Sequence, residues 1–382
     1  MSIRITTTND FAEWAKNDET VEWLEIATEW ASDFDLRQWS RGLKSRGEVS
    51  EYNRGRLISA SKRKYCSGWA SFKQIRILEY YWRNGDKIIF PINSQNQVYL
   101  GNDDNSWCQY WPFLRQTKES REYICTLSIE KSETSTDYPN RTLIIAGQSH
   151  FGHFVYNRYL GLSESIRRFH HIGKTLSIAV PPDYSNVIVD ILSEIFPDLE
   201  QIHALSGRNG IRKLQNVSIP AIDPSPHVYD RCSFLGKEHV STNNRKGVYL
   251  TRGLAGSNDR IIDYSTFEQV VKKAGYDIVN PMELNHQERK VIIGSYAKIL
   301  SDMGSCGYNA FLYRRSGCHI QQMIPRNSLI EPMSDGVLSQ VSSEVKLGAM
   351  GGWIPVDVAG NVDADNHWHG IYKAPSLERL VL

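Results

Sequence analysis

The sequence lacks three features that would narrow its function at once: paired cysteines, an excess of charge and a long apolar run. Its six cysteines form no CxxC pair in a chain of 382 residues. Because a chain of this size folds without disulfides, we expect thiols in a reducing compartment. The net charge of +1, from 44 basic and 43 acidic residues, attracts neither nucleic acid nor an anionic membrane. We expect no nucleic-acid partner, and any anion must be bound by a local cluster.

No stretch approaches the roughly 18 to 20 apolar residues that cross a bilayer. The first residues, MSIRITTTNDFAEW, also lack the apolar core of a signal peptide. We therefore expect a cytoplasmic protein.

Several catalytic motifs are absent too. No GxxxxGK[ST] is present, which argues against a P-loop ATPase or kinase. No GxGxxG follows the first predicted strand of either half, and no GxSxG nucleophile elbow occurs. These absences argue against a P-loop enzyme, a common dinucleotide oxidoreductase and a serine hydrolase of the usual kind.

Residues 1–85 are rich in tryptophan and poor in glycine. Apolar side chains recur here at helical spacing, namely Trp23, Ile26, Ala27, Trp30 and Phe34. This pattern predicts an amphipathic helix within an N-terminal helical appendage. Two interpretations stay open: the tryptophan face packs on the main body, or it makes a peripheral contact with a membrane surface or an assembly partner.

Residues 86–236 alternate between short apolar runs and helical patterns. The run TLIIA precedes a helical pattern over 152–169, and LSIAV precedes another at VIVDILSEIF. Strand, helix and strand in succession are typical of a parallel sheet covered by helices. We predict a first Rossmann-like domain.

The same alternation restarts after a polar linker, GKEHVSTNNRKG. Predicted strands are GVYLTR, YDIVNP, ILSD and CHIQQMI, and predicted helices are STFEQVVKKAG, HQERKVIIGSYAKI and GYNAFLYR. We predict a second Rossmann-like domain over 237–345, followed by a tail, 346–382, that returns to the first domain. The fold class is α/β, with two domains facing across a cleft.

Two loops of the second half suit an anion. GLAGSNDR has Arg252 and Arg260 at its ends, and two guanidinium groups can each donate paired hydrogen bonds to a diphosphate. The turn SDMGSCGYN contains Gly304 and Ser305 directly before a predicted helix, whose first amides form a ready anion site.

Two histidines, His150 and His153, lie where TLIIA gives way to a helix. Either could be a general base, and the alternative for His153 is a hydrogen-bonded core residue. A competing metal site is offered by the tail, where VDADNHWHG alternates ligand types at Asp363, Asp365, His367 and His369. A strand there would point all four to one face.

Three stretches together resemble glycosyltransferase family 61. HFGHFVYNRYLGL is similar to the family helix that carries a histidine, and His153 falls on it. GVYLTRGLAGSNDRIID resembles the family strand and loop with two arginines. From Leu284 to Gly317 the chain follows the family order of helix, strand, glycine turn and asparagine.

The resemblance implies a GT-B fold and inverting transfer of a hexosyl or pentosyl group from a nucleotide sugar to a glycan acceptor, in polysaccharide or surface-glycan biosynthesis. No cofactor or essential metal is implied. His153 would be the base, with His150 as the second candidate. The donor-binding residues it implies are Arg252, Arg260, Gly304, Ser305, Asn309 and Glu288.

Two positions depart from the family pattern. Asn157 stands where the family helix has an acidic residue, and Met303 where the turn often has histidine. These departures leave an alternative open: a sugar-nucleotide-binding or assembly protein that keeps the fold and has lost catalysis.

Overall fold

The structure is a computed structural model that describes residues 4–5, 11–30, 50–55, 64–81, 87–99, 134–145, 150–205, 210–222, 235, 247–251, 264–302, 304–315, 317–325, 353–356, 358–359 and 371–372. The chain divides into two compact units. The first comprises Met1–Trp30 and Lys64–Cys232, and the second Ala31–Arg63 and Ser233–Leu382. Both contain helices and strands, and the sheets mix parallel and antiparallel pairs. The predicted α/β class is therefore confirmed.

The first unit is built on a nine-stranded sheet. Its strands are β1 (Arg4–Ile5), β2 (Val21–Trp30), β3 (Lys64–Tyr81), β4 (Lys87–Ile92), β5 (Gln97–Val98), β6 (Thr134–Ile144), β7 (Ser177–Val180), β8 (Gln201–Ala204) and β9 (Gly210–Ile222). Its helices are α1 (Phe11–Lys16), α2 (Phe151–Phe154), a π-helical segment (Val155–Tyr159), α3 (Leu160–Arg168), a 3-10 turn (Ile172–Lys174) and α4 (Asn186–Ile195).

The sheet of the first unit has a parallel part and an antiparallel part. Strands β9, β6, β7 and β8 are neighbours in that order and all parallel. The long strand β3 pairs antiparallel with β9, β2 and β4. The strands and helices predicted from TLIIA to VIVDILSEIF are confirmed, and the strands belong to the parallel part of the sheet.

An aromatic cluster fastens the start of the chain to this sheet. Trp14 of α1 is fully buried, and its ring lies 5.9 Å from that of Phe72 and 5.2 Å from that of Tyr99, centroid to centroid. Its indole N–H donates to the carbonyl of Gln97 at 3.0 Å. A buried indole needs such a partner, so packing and hydrogen bonding act on the same side chain.

The predicted N-terminal helix is wrong. Residues 21–30 form β2, which pairs antiparallel with β3 from Val21 opposite Phe72 to Trp30 opposite Lys64. The described residues of the predicted appendage thus contribute three strands, β1, β2 and β3, to the main sheet. Phe34, the last residue of the predicted apolar stripe, lies outside the described residues.

The misleading apolar stripe begins just after a β-bulge, in a stretch that pairs with β3 without interruption from Trp23 to Trp30. The register of β2 shifts between Val21 and Trp23, which interrupts the two-residue alternation of a strand. As a result Val21 and Leu24, three residues apart, both pack on the same buried core. Three-residue spacing of apolar side chains is the signal of a helix, whereas the β-branched and aromatic residues of this segment favour a strand.

The second unit contains a five-stranded parallel sheet. In chain order its elements are β10 (Gly247–Leu250), α5 (Tyr264–Lys273), β11 (Tyr276–Val279), a 3-10 turn (Pro281–Glu283), α6 (His286–Gly294), β12 (Lys298–Ser301), α7 (Ser305–Tyr313), β13 (His319–Pro325) and β14 (Trp353–Val356). Two short strands, β15 (Val358–Ala359) and β16 (Ile371–Tyr372), pair antiparallel with each other. The predicted alternation of strands and helices is confirmed. Among the helices that the structure describes, none is both long and apolar enough to cross a membrane.

The strands of this sheet lie in the order β11, β10, β12, β13, β14. Helix α5 packs Phe267 and Val271 into a buried cluster with Tyr249, Leu300 and Met323 of the central strands. Helices α6 and α7 contact each other, and α7 also contacts β10, β12 and β13.

One expectation for the second half needs correction. The helix predicted over HQERKVIIGSYAKI ends at Gly294, where the Ser295 hydroxyl donates to the carbonyl of Ile292 at 2.7 Å, and Lys298 already begins β12. Within the tail, β14 pairs in parallel with β13 of its own unit. The return of the tail to the first domain stays a prediction. The helix predicted at PSLERLVL lies outside the described residues.

Gly247 should tolerate no side chain. A Cβ there would lie 2.5 Å from Cε1 of Tyr276 and 3.3 Å from the carbonyl oxygen of Lys298. We expect Gly247→Ala to lower the free energy of unfolding by about 1 to 3 kcal/mol, measured by urea denaturation, since the buried ring must move. Gly55→Ala is the control in the same unit, because no atom lies within 4 Å of its Cβ position. Equal stability of the two variants would contradict this account of the packing.

Candidate functional site

The strand order of the second unit reverses between β10 and β12. The chain leaves β10 toward β11 on one side, whereas β12 leads to β13 and β14 on the other. In open parallel sheets, ligands bind outside the carboxyl ends of the two strands at which the order reverses. The loop that begins after Thr251 and the turn that begins after Ser301 leave the sheet at this point.

A tyrosine and an aspartate connect the two central strands there. The Tyr249 hydroxyl donates to Oδ1 of Asp302 at 2.6 Å. The backbone N–H of Asp302 donates to the carbonyl of Leu250 at 3.2 Å, which continues the pairing past the end of β12. Burial, together with the nearby Asp302 carboxylate, raises the pKa of Tyr249 well above its usual value. The hydroxyl therefore keeps its proton and donates to Asp302, which fixes the start of the turn.

Helix α7 begins at the end of this turn with glycine as its N-cap. Gly304 has φ 87° and ψ −134°, a conformation that glycine adopts and other residues rarely do. A glycine N-cap has no side chain to accept from the amides of the first helical turn, which serine or aspartate would do. Such a helix start is suited to an external anion.

A buried polar network lies behind this helix start. Arg289 of α6 is 4% exposed, and its Nη1 donates to Oδ1 of Asn309 at 3.0 Å. Asn309 in turn donates through Nδ2 to the carbonyl of Ser305 at 2.8 Å. Arg289 also donates through Nε to the carbonyl of Leu284, before α6, at 3.0 Å. One guanidinium therefore joins the chain before α6 to the first turn of α7.

A second contact joins the other end of α7 to α6. Nδ1 of His286 lies 2.9 Å from the Tyr313 hydroxyl, and both residues are buried. Burial lowers the pKa of Arg289, whereas the adjacent Tyr313 and Cys306 raise it. Helix α7 is held against α6 by polar contacts at both ends.

The structure describes four of the six residues expected to bind a donor, and they lie in different surroundings. Gly304 and Ser305 lie together at the start of α7. Asn309 is 1% exposed, and both polar atoms of its amide are hydrogen-bonded inside the unit.

Glu288 is exposed and forms a capping box with Asn285: Asn285 Oδ1 accepts from the Glu288 N–H, and Glu288 Oε2 accepts from the Asn285 N–H. Arg252, Arg260 and Met303 lie outside the described residues.

The two histidines belong to the first unit. His150 is exposed and is the N-cap of α2, the helix that follows β6. His153 lies on α2, and its side chain is outside the described part of the structure. The next segment, which contains Asn157, is π-helical. Single π-helical turns within α-helices occur frequently at functional sites.

Sequence reasoning missed Arg289, Tyr249 and Asp302. Hydrophobic periodicity cannot find Arg289, because the buried side of α6 is polar at its start: His286, Arg289 and Lys290 are buried at positions i, i+3 and i+4. The Asn285 and Glu288 capping box was a usable signal. It marks the helix start, from which the inward-facing positions can be counted.

Among the described residues, no group of three or more His, Cys, Asp or Glu side chains could hold a metal ion. The four residues of the alternative tail site lie outside them.

No model of a known protein family matches the chain, and no curated protein sequence matches it.

The Tyr249 contact should make stability fall at high pH. Its pKa is raised in the folded state, so above pH of about 10 the unfolded chain loses this proton while the folded chain keeps it. The contribution to stability is complete below pH of about 10 and disappears as the pH rises through the folded-state pKa. We expect Tyr249→Phe to reduce the drop in unfolding free energy between pH of about 8 and about 11. Equal drops in the variant and the wild-type chain would show that this hydroxyl titrates normally.

Proposed function

We propose that the protein is an inverting glycosyltransferase that transfers a sugar from a nucleotide-sugar donor to a glycan acceptor, in polysaccharide or surface-glycan biosynthesis. One observation carries the proposal: the glycine N-cap of α7 follows β12, and the loop with Arg252 and Arg260 follows β10, the two strands between which the sheet order reverses. Two anion-binding elements on neighbouring strand ends suit the two phosphates of such a donor.

Under this proposal the second unit binds the donor. Arg252 and Arg260 neutralise the diphosphate, and the amides at Gly304 and Ser305 donate to its oxygens. The charge that develops on the leaving group is stabilised by these groups, so the proposal requires no metal. Asn309 and Glu288 would contribute through the shape of the site, because the former lies inside the unit and the latter caps α6.

The first unit would bind the acceptor and supply the base. The acceptor hydroxyl oxygen attacks the anomeric carbon, the bond from that carbon to the diphosphate oxygen breaks, and the hydroxyl proton passes to a base. We assign this role to His153, with His150 as second candidate, since an ordinary imidazole titrates near neutral pH. Support comes from their position at the start of the helix after β6, a strand with parallel neighbours on both sides.

The proposal extends to fold and location. The two units would be the two Rossmann-like halves of a GT-B fold, for which the parallel strands in each provide support. The reaction would take place in the cytoplasm, and the six cysteines without a CxxC pair support a reducing compartment.

Donor binding is tested by calorimetry with uridine, guanosine, adenosine and cytidine diphosphates. We expect at least one to bind, and Arg252→Ala to weaken that binding about ten- to hundredfold, the usual value of a hydrogen bond to a charged group. Gly304→Ala should also weaken it. Gly317→Ala is the matched control, because Gly317 has φ 70° and lies beyond the end of α7. If both glycine variants bind equally well, the helix start is not the anion site.

Catalysis is tested by incubating the protein with nucleotide sugars and measuring release of nucleoside diphosphate. We expect turnover with one donor, and its loss in His153→Ala with donor binding retained. Loss in His150→Ala alone would move the base to that residue. Binding without turnover, with glycan acceptors added, would favour the alternative, a sugar-nucleotide-binding protein, for which Asn157 and Met303 are the sequence argument.

A further inference from the structure

Arg289 has a position that fold stability alone does not explain. It is a charged side chain with 4% exposure, between two helices of the second unit. Removing a cation from water is costly, and apolar side chains of similar volume are often as good or better for stability. A buried guanidinium is most useful where geometry matters, because its donors are held in a rigid planar fork.

One of the hydrogen bonds of Arg289 leads, through Asn309, toward the start of α7. Its Nε bonds the carbonyl of Leu284 at 3.0 Å, and its Nη1 bonds Asn309 at 3.0 Å. Asn309 in turn donates through Nδ2 to the carbonyl of Ser305, the first residue of the helix, at 2.8 Å. Because Ser305 directly follows the N-cap Gly304, the rotation of the first helical turn is coupled to the position of Arg289.

We infer that Arg289 is a positioning residue for the anion site at the start of α7, and that it acts through Asn309. The inference rests on the proposed function, in which the amides at Gly304 and Ser305 contact the donor diphosphate. Neither Arg289 nor Asn309 touches the ligand in this arrangement. Instead, they fix the direction of the amides that do.

Anion binding at the start of α7 would then depend on the hydrogen bonds of Arg289 and Asn309, whereas the stability of the fold would not. A helix start that rotates by a small angle keeps its packing and loses the alignment of its amides with two phosphates. Displacements of about 1 Å remote from a reacting centre can reduce function about a hundredfold. Binding and stability should therefore separate when the network is replaced by apolar side chains.

The principal test is the double variant Arg289→Met with Asn309→Leu, which fills the same space without polar atoms. We expect its melting temperature to equal or exceed that of the wild-type chain. We expect its Kd for the best-bound nucleoside diphosphate to rise at least about tenfold. Arg289→Lys keeps the charge but cannot reach Leu284 and Asn309 with one planar group, so its Kd should lie between the two.

Tyr296→Phe is the matched control. It removes one hydrogen bond of a buried side chain in the same unit, from the Tyr296 hydroxyl to Oδ2 of Asp277 at 2.6 Å. We expect a lower melting temperature and an unchanged Kd. This control separates a general loss of stability from a change at the helix start.

The outcomes discriminate between the two proposals. If the wild-type chain binds a nucleoside diphosphate and the Arg289 variants bind it equally well, the positioning role is overturned and the proposed function stands. If the wild-type chain binds none of the four, the proposed function fails and the positioning role fails with it. Should the double variant not fold, Arg289→Lys decides through its Kd alone.

Discussion

The parallel pairing of β10 with β12 is the constraint on which the second unit depends. It joins strands that are separated in the chain by α5, β11 and α6, and it brings Leu250 beside Ser301. Without this pairing Thr251 and Asp302, which follow the two strands, would have no reason to lie near each other. The hydrogen bond from Tyr249 to Asp302 strengthens the same connection where the strands end. The candidate anion site is a consequence of which strands are neighbours.

The buried network between α6 and α7 contains a cation at a position where an apolar side chain could pack. Desolvation of Arg289 opposes folding, and the same burial lowers its pKa. Hydrogen bonds to Leu284 and Asn309 offset part of this loss. An apolar contact would hold two helices together at any of several rotations, since dispersion has little directional preference. A planar donor that bonds fixed acceptors permits few rotations. Under the positioning proposal this limits the rotation of the first turn of α7.

The first unit shows a case where the local spacing of apolar residues misleads. From β6 to α4 and from β10 to β13 the period of apolar residues identified the element type. In β2 the spacing of Trp23, Ile26, Ala27 and Trp30 suits a helix, yet these residues pair regularly with β3. The pairing with β3 that overrides this spacing involves residues about 35 to 50 positions away along the chain. A window of neighbouring residues does not contain that information.

By itself the sequence determined the α/β class, the strands and helices from β6 to α4 and from β10 to β13, and the presence of a glycine at the start of α7. These follow from local properties: periodicity, turn residues and capping. The tertiary structure decided which strands are neighbours, that β14 completes the sheet of its own unit, and that Asn309 faces Arg289. Those outcomes depend on pairing between distant segments and on which polar groups are buried together. The energy of such contacts is set by the partner, and no local pattern in the chain specifies the partner.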